Sequence, residues 1–230
     1  MKYIVFGLGN FGKALSLSLT EMGHEVIGVD INMKRVEQIK EKITHAVCLD
    51  STDREAVESL PLKSSDAAIV AIGEDEASSL LTTALLKQMS VKRIIGRVVS
   101  DLQRVVLEAM SINEFILPEE ESAERLALKL HTVGVVDSFK ISEKYSIVEA
   151  LVPDRYVGKT VGEADFNNRH RVIVLTTIRQ RDTLRMTRDS NIKDIARYAT
   201  GIATSNTRFE EKDILVLFGD VTDIQRLLRI

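Results

Sequence analysis

Three glycines with the spacing G-x-G-x-x-G stand near the start of the chain, between a strand-like run and a helix-like run. The strand is Lys2–Phe6, the glycines are Gly7, Gly9 and Gly12, and the helix begins at about Phe11. In such a turn the first glycine permits the tight bend, the second lets a pyrophosphate approach the backbone, and the third lets the helix pack closely on the strand. The helix N-terminus offers free N–H groups to the phosphates. This feature predicts a nucleotide-binding βαβ unit.

The rest of the first half alternates short apolar runs with helical patterns. Six strand-like runs occur before residue 118, and a helical pattern follows each of them. The run Ala67–Ile72 is wholly apolar, as in strands that a parallel sheet buries on both faces. Strands joined by helical crossovers indicate an α/β fold, so we expect a Rossmann-like parallel sheet with helices on both faces.

A change of pattern at Gly134 predicts two domains, a nucleotide-binding domain over 1–134 and a smaller α+β domain over 135–230. Residues 1–134 carry a net charge of −5 and residues 135–230 a net charge of +2, which supports the division. The second part is predicted to contain four strands, at 135–141, 147–152, 172–178 and 214–218. The polar segment 179–208 shows little periodicity, and we expect a long connection there with a helix near 192–198.

Composition excludes several classes of protein. The chain has 230 residues, of which 44% are hydrophobic and 28% charged, as in globular proteins. A net charge of −3 argues against a basic surface for nucleic acid, and no apolar run reaches the ~18 residues of a membrane helix. The start lacks the features of a signal peptide, and a single cysteine, Cys48, fits a reducing compartment. We therefore expect a cytoplasmic protein.

Asp30 ends the second strand-like run about twenty residues after the glycines and is followed by Ile31. An acidic residue at this place accepts hydrogen bonds from the ribose hydroxyls of an adenine nucleotide. A carboxylate there would repel a 2′-phosphate, which favours NAD or another adenine nucleotide over NADP. The alternative is a structural glycine turn followed by an Asp that caps a helix.

Three further strand ends are predicted to line the same crevice, because ligands of open α/β sheets bind beyond the carboxyl ends of the strands. The candidates are Asp50, Ser51 and Thr52 for the adenine, Ile72 and Gly73 for the ribose, and Arg97 for a phosphate. Helix capping by Ser51 or Asp53 is an equal alternative for the first group, and a structural ion pair is an alternative for Arg97.

Catalytic patterns are missing from the sequence. No Tyr-x-x-x-Lys pair occurs, and the four histidines are scattered along the chain. Fewer than ~100 residues remain for a domain that would enclose a nicotinamide ring and its substrate. A nucleotide site without a proton donor indicates a sensor and not an enzyme. A small NAD-dependent oxidoreductase, or a nucleotide-binding module with another effector, remains an alternative.

The ordered motifs of the chain resemble those of the RCK family, the regulators of K⁺ conductance, and in particular its TrkA- and KtrA-like subunits of bacterial K⁺ uptake systems. The resemblance is carried by the segments 3–32, 44–47, 70–73, 81–87, 117–119, 145–149, 158–161 and 212–219. It implies a cytoplasmic gating subunit at the inner face of the membrane, which dimerises and forms a ring, commonly of eight. That ring would control a separate membrane K⁺ pore through the nucleotide bound in the Rossmann crevice.

The same resemblance assigns roles to single residues. It places the glycines at the phosphates, Asp30 at the ribose, residues 50–52 at the adenine side and Arg97 at a phosphate. Phe11 and Ile31 are further cofactor-binding candidates. Glu119 matches a carboxylate that holds a divalent cation at the subunit interface in some members. Asn10 replaces a basic residue that reaches the γ-phosphate in ATP-responsive members, which makes NAD(H) or a monophosphate more plausible than ATP. Some members bind cyclic di-AMP in the second domain, but no residue pattern here supports that ligand.

Overall fold

The computed structural model describes residues 1–187 and 190–229, which divide into two compact units with the boundary between Glu120 and Glu121. The first unit contains β1 (Lys2–Phe6), α1 (Asn10–Glu21), β2 (Glu25–Asp30), α2 (Met33–Glu37), β3 (His45–Cys48), α3 (Arg54–Glu58), β4 (Ala67–Val70), α4 (Glu76–Gln88), β5 (Ile94–Arg97), α5 (Asp101–Ala109) and β6 (Glu114–Ile116). The boundary falls within α6 (Pro118–His131). The predicted division between residues 134 and 135 stays a prediction.

The first unit is a six-stranded sheet with the order β3-β2-β1-β4-β5-β6, and every strand pairing in it is parallel. Successive side chains of β1 pack into two different apolar clusters, because side chains alternate between the two faces of a strand. Ile4 and Phe6 belong to one apolar cluster, whereas Val5 belongs to the other, and all three are fully buried. Both faces of the sheet are therefore covered, and the predicted Rossmann-like fold is confirmed.

The second unit contains an antiparallel five-stranded sheet with the order β10-β9-β11-β8-β7. Its elements are β7 (Val135–Lys140), β8 (Tyr145–Leu151), α7 (Val161–Ala164), α8 (Phe166–His170), β9 (Ile173–Thr187), β10 (Ser190–Ala199), β11 (Ile214–Asp220) and α9 (Val221–Arg229). Its core includes Phe166 and Phe209, whose rings stack with their centroids 5.7 Å apart. The predicted smaller α+β domain is confirmed.

One prediction for the second unit is wrong. The segment 179–208 is not a long connection with a helix near 192–198, because β9 continues to Thr187 and β10 occupies Ser190–Ala199. The two strands pair from Thr187↔Ser190 to Ile178↔Ala199. Polar residues occur at both alternating sets of positions in this segment, so the sequence lacks the apolar alternation by which a half-buried strand is recognised.

Candidate nucleotide-binding site

Two of the three glycines in the turn between β1 and α1 are required by the protein's own packing. Gly7 has a φ of +93°, and a Cβ there would lie 2.9 Å from the backbone nitrogen of Ile72. A Cβ on Gly12 would lie 1.8 Å from the carbonyl oxygen of Gly7. Any side chain at either position would force the backbone of α1, β1 or the loop after β4 to move.

Gly9 is different, because nothing in the described part of the chain requires a glycine there. Its φ of −63° is open to any residue, and a Cβ would have no atom within 4 Å. Gly9 is the N-cap of α1 and gives the helix no side-chain cap, so the N–H groups of the first turn, which begins with the exposed Asn10, have no acceptor from this position. The space beside Gly9 and the uncapped helix N-terminus together fit a phosphate group.

Asp30 lies at the end of β2 and binds the glycine turn directly. Its Oδ2 accepts a hydrogen bond of 2.7 Å from the N–H of Leu8, and its Oδ1 accepts one of 2.8 Å from the N–H of Asn32. The residue is buried. A carboxylate has about four lone-pair sites, so two accepted bonds leave acceptor capacity for ribose hydroxyls. The helix-capping alternative is not what the structure shows, because Asn32 is the N-cap of α2.

Arg97 is held at the end of β5 by groups from three other segments. Its Nη1 donates to the carbonyl oxygen of Ala71 over 3.3 Å, its Nη2 pairs with Glu119, and its Cζ lies 5.7 Å from the centre of the Phe11 ring. A Cβ on Gly73 would lie 2.6 Å from the Cζ of Arg97, so Gly73 leaves room for the guanidinium group. The structural ion pair that the sequence offered as an alternative role for Arg97 is therefore present, but it uses only its Nη2.

Another nitrogen of Arg97 lacks a hydrogen-bond partner within the described residues. Its Nε is buried and makes no hydrogen bond among the residues that the structure describes. A buried donor without a partner is unfavourable, so an anionic group that reached it would be bound more tightly. Arg97 lines a cleft of about 350 Å³, together with residues that follow β4, β5 and β6, among them the first residues of α5 and α6. This arrangement is the second feature that fits a phosphate-bearing ligand.

The residues after β3 make hydrogen bonds with one another and with α4. Asp50 accepts hydrogen bonds from the backbone and the hydroxyl of Thr52, and these bonds hold the pKa of the Asp50 carboxyl below its usual value. Ser51 shares a hydrogen bond of 2.7 Å with Thr82 of α4. Asp53, and not Ser51, is the N-cap of α3. Residues 50–52 follow β3, and the exposed Ile31 follows the neighbouring strand β2. The contact of residues 50–52 with an adenine stays a prediction, and so does the part of Ile31 in cofactor binding.

Sequence reasoning missed two charged residues of the crevice, Arg35 on α2 and Glu74 after β4. The Nη2 of Arg35 lies 2.8 Å from each carboxylate oxygen of Glu74, and its Nη1 lies 3.7 Å from Oδ2 of Asp30. Asp30, Arg35 and Glu74 form a series of alternating charges, which we call the charge chain. The hydrogen bond with Glu74 is the main cause that raises the pKa of Arg35.

No metal cluster accompanies Glu119 in the described part of the chain, where no group of three or more His, Cys, Asp or Glu side chains could hold a metal ion. Glu119 is largely exposed and pairs with Arg97. Its role as a metal ligand stays a prediction. Among the described helices, none is both long enough and apolar enough to cross a membrane.

Replacing Asp30 by alanine is expected to weaken adenine-nucleotide binding by about 1–3 kcal/mol, because ribose hydroxyls lose a buried acceptor. The same change should lower the free energy of unfolding, because the N–H of Leu8 loses its partner. Isothermal titration with ADP and urea unfolding measure the two effects separately. An affinity equal to that of the wild type would contradict the ribose assignment.

The chain is similar in sequence to a known domain family and to a protein of potassium uptake. The family model of the TrkA-N domain matches residues 3–118. The Ktr system potassium uptake protein C of Bacillus subtilis (strain 168) is 31% identical over 225 residues, which cover 98% of this chain and 95% of that protein.

Two solved structures are similar in fold. The NAD(P)-binding domain of an exopolyphosphatase-related protein from Archaeoglobus fulgidus superposes with a TM-score of 0.51 at 27% identity, over 56% of this chain and 96% of that one. The GsuK RCK domain superposes with a TM-score of 0.65 at 18% identity, over 100% of this chain and 48% of that one. The second likeness extends the shared fold to both units.

Proposed function

The chain belongs to the TrkA-N domain family, and from this premise we propose that it is a nucleotide-sensing regulatory subunit of a potassium uptake system. One observation carries the nucleotide site: Gly9 has no structural need to be a glycine, yet it leaves open the space beside an uncapped helix N-terminus. The potassium role is supported by the relative from Bacillus subtilis, which is similar over nearly the whole length of both proteins.

The proposed ligand is an adenine nucleotide, either NAD⁺ or NADH, or one of AMP, ADP and ATP. The carboxylate of Asp30 would accept ribose hydroxyls, while the first-turn N–H groups of α1 and the guanidinium of Arg97 would bind phosphates. The match with the NAD(P)-binding domain from Archaeoglobus fulgidus supports a dinucleotide. Asn10 offers no positive charge to a terminal phosphate, which favours ligands other than ATP.

A nucleotide can regulate an assembly only if the assembly has two conformations and the nucleotide binds one of them more tightly than the other. We propose that copies of the chain dimerise and form a ring, of eight copies as the RCK resemblance implies, beneath a separate membrane K⁺ pore at the inner face of the membrane. Apolar side chains of α5 support self-association, because Leu102 and Val105 are 73% and 60% exposed. A divalent cation held by Glu119 at the subunit interface is part of the same proposal.

Titration of the nucleotide-stripped chain with AMP, ADP, ATP, NAD⁺ and NADH tests the proposal. We expect tight binding of at least one of them, no turnover in the same samples, and an assembly larger than a monomer by light scattering. Interconversion of NAD⁺ and NADH when an oxidisable or reducible small molecule is added would favour the oxidoreductase alternative. A strict monomer at high protein concentration would contradict the ring.

The transport role needs a test in cells. Rubidium uptake, used as a measure of K⁺ transport, should fall when the gene is deleted and recover with the wild-type chain. A variant that folds but no longer binds nucleotide should give uptake that no longer responds to the nucleotide. Unchanged uptake in the deletion strain would contradict a role in this transport system.

A further inference from the structure

The charge chain brings a second guanidinium group next to the glycine turn. Arg35 approaches Oδ2 of Asp30, the same oxygen that accepts the N–H of Leu8 from the turn. Its other partner, Glu74, directly follows Gly73, which packs on Arg97. Arg35 on α2 and Glu74 after β4 therefore join the two sides of β1, because β2 and β4 flank that strand in the sheet.

We propose that Arg35 binds the phosphate groups of the nucleotide, and that Glu74 competes with these phosphates for its guanidinium group. This inference rests on the proposed nucleotide site. It supplies the positive charge that Asn10 does not provide, from a helix on the other side of the crevice. It also makes affinity depend on an ion pair that must open when the ligand enters.

The exposure of the two partners favours such an exchange. The side chain of Glu74 is 77% exposed, whereas that of Arg35 is 34% exposed. A released Glu74 carboxylate returns to water at little loss, because exposed ion pairs contribute little to stability. A phosphate would offer the planar guanidinium group paired, charge-assisted hydrogen bonds in place of those it loses.

Four proteins test the inference at one fixed ionic strength: the wild type, Glu74→Gln, Arg35→Gln and the double variant. Each full-length, nucleotide-stripped chain is titrated with adenosine, AMP, ADP and NAD⁺. For the phosphate-bearing ligands we expect Glu74→Gln to bind roughly 1.4- to 5-fold more tightly, the range that one exposed ion pair represents. Arg35→Gln should bind them about ten-fold more weakly or worse, while adenosine affinity should not change.

The double variant separates competition from simple charge repulsion. If Glu74 acts by holding Arg35, its replacement should bring no gain when Arg35 is already glutamine. An equal gain in both backgrounds would overturn the inference, since Glu74 would then only repel phosphate. A matched loss of adenosine affinity in Arg35→Gln would also overturn it, because Arg35 would then act on the fold of the site.

A control variant and one further outcome complete the test. Glu114→Gln breaks a similar ion pair, in which Oε2 of Glu114 lies 2.7 Å from Nη2 of Arg93. These residues stand at the opposite ends of β5 and β6 from the crevice, so ADP affinity should stay at the wild-type value.

If neither the wild type nor Glu74→Gln binds any of the four ligands, the proposed nucleotide site itself is wrong. Binding by the wild type without coupling between residues 35 and 74 contradicts only this inference.

Discussion

Replacing Gly9 by aspartate should abolish nucleotide binding without loss of stability. The new side chain would enter open space at a helix N-cap, where aspartate is among the best residues, so the melting temperature should stay equal or rise. A carboxylate about 4 Å from a phosphate is repelled by about 4 kcal/mol at an effective dielectric constant of about 20, so affinity should fall by about 1,000-fold. Isothermal titration and thermal unfolding of the same preparation measure both effects.

Gly9→Asn is the matched control, because asparagine caps a helix about as well as aspartate and has nearly the same shape without the charge. It should weaken binding by steric exclusion, but less than Gly9→Asp does. Wild-type affinity in Gly9→Asp would show that phosphates do not bind at this turn.

Replacing Gly12 by alanine should have the opposite outcome, a large loss of stability. Alanine usually stabilises a helix by up to about 1 kcal/mol relative to glycine. Here its Cβ would lie 1.8 Å from the carbonyl oxygen of Gly7, and a backbone atom cannot move away as a flexible side chain can. We expect a loss of about 3 kcal/mol or more, or a fall of roughly 6–12 °C in the melting temperature of a chain of this length.

Gly9→Ser is the control for this change, since it adds a larger side chain three residues earlier in open space. Its melting temperature should equal or slightly exceed that of the wild type, because serine is a good N-cap residue. If Gly12→Ala were as stable as the wild type, the close contact between α1 and the glycine turn would not exist in solution.

Local sequence patterns predicted the parallel sheet because its signals are short-range. The apolar runs, the glycine spacing and the helix patterns each lie within a few residues, and the fold follows from their order. The same reasoning placed Gly7 and Gly12 correctly as packing requirements. It gave Gly9 a different role, the close approach of a phosphate, and the structure likewise separates Gly9 from the other two, because a Cβ on Gly9 would meet no atom within 4 Å.

The missed features depend on contacts between distant residues. Arg35 and Glu74 are 39 residues apart, and their pairing follows from the adjacency of β2, β1 and β4 together with side-chain conformation. Charged residues next to two predicted strand ends were a signal that could have indicated them. The pairing of β9 with β10 gave no such signal, because polar residues occur at both alternating sets of sequence positions in these strands.

The hairpin of β9 and β10 has a consequence for how the second unit tolerates changes in length. The long-range pairing of its sheet joins β8 to β11, from Leu151↔Ile214 to Tyr145↔Asp220. Beyond Ile178, β9 pairs with β10 and no longer with β11. The strand pairing of this outer part of the hairpin is therefore between β9 and β10 alone. Removing cross-strand pairs two at a time from its outer end would therefore leave the closure of β8 on β11 unchanged. Insertions or deletions that change the length of the β9–β10 hairpin are therefore expected to leave the core of the second unit intact.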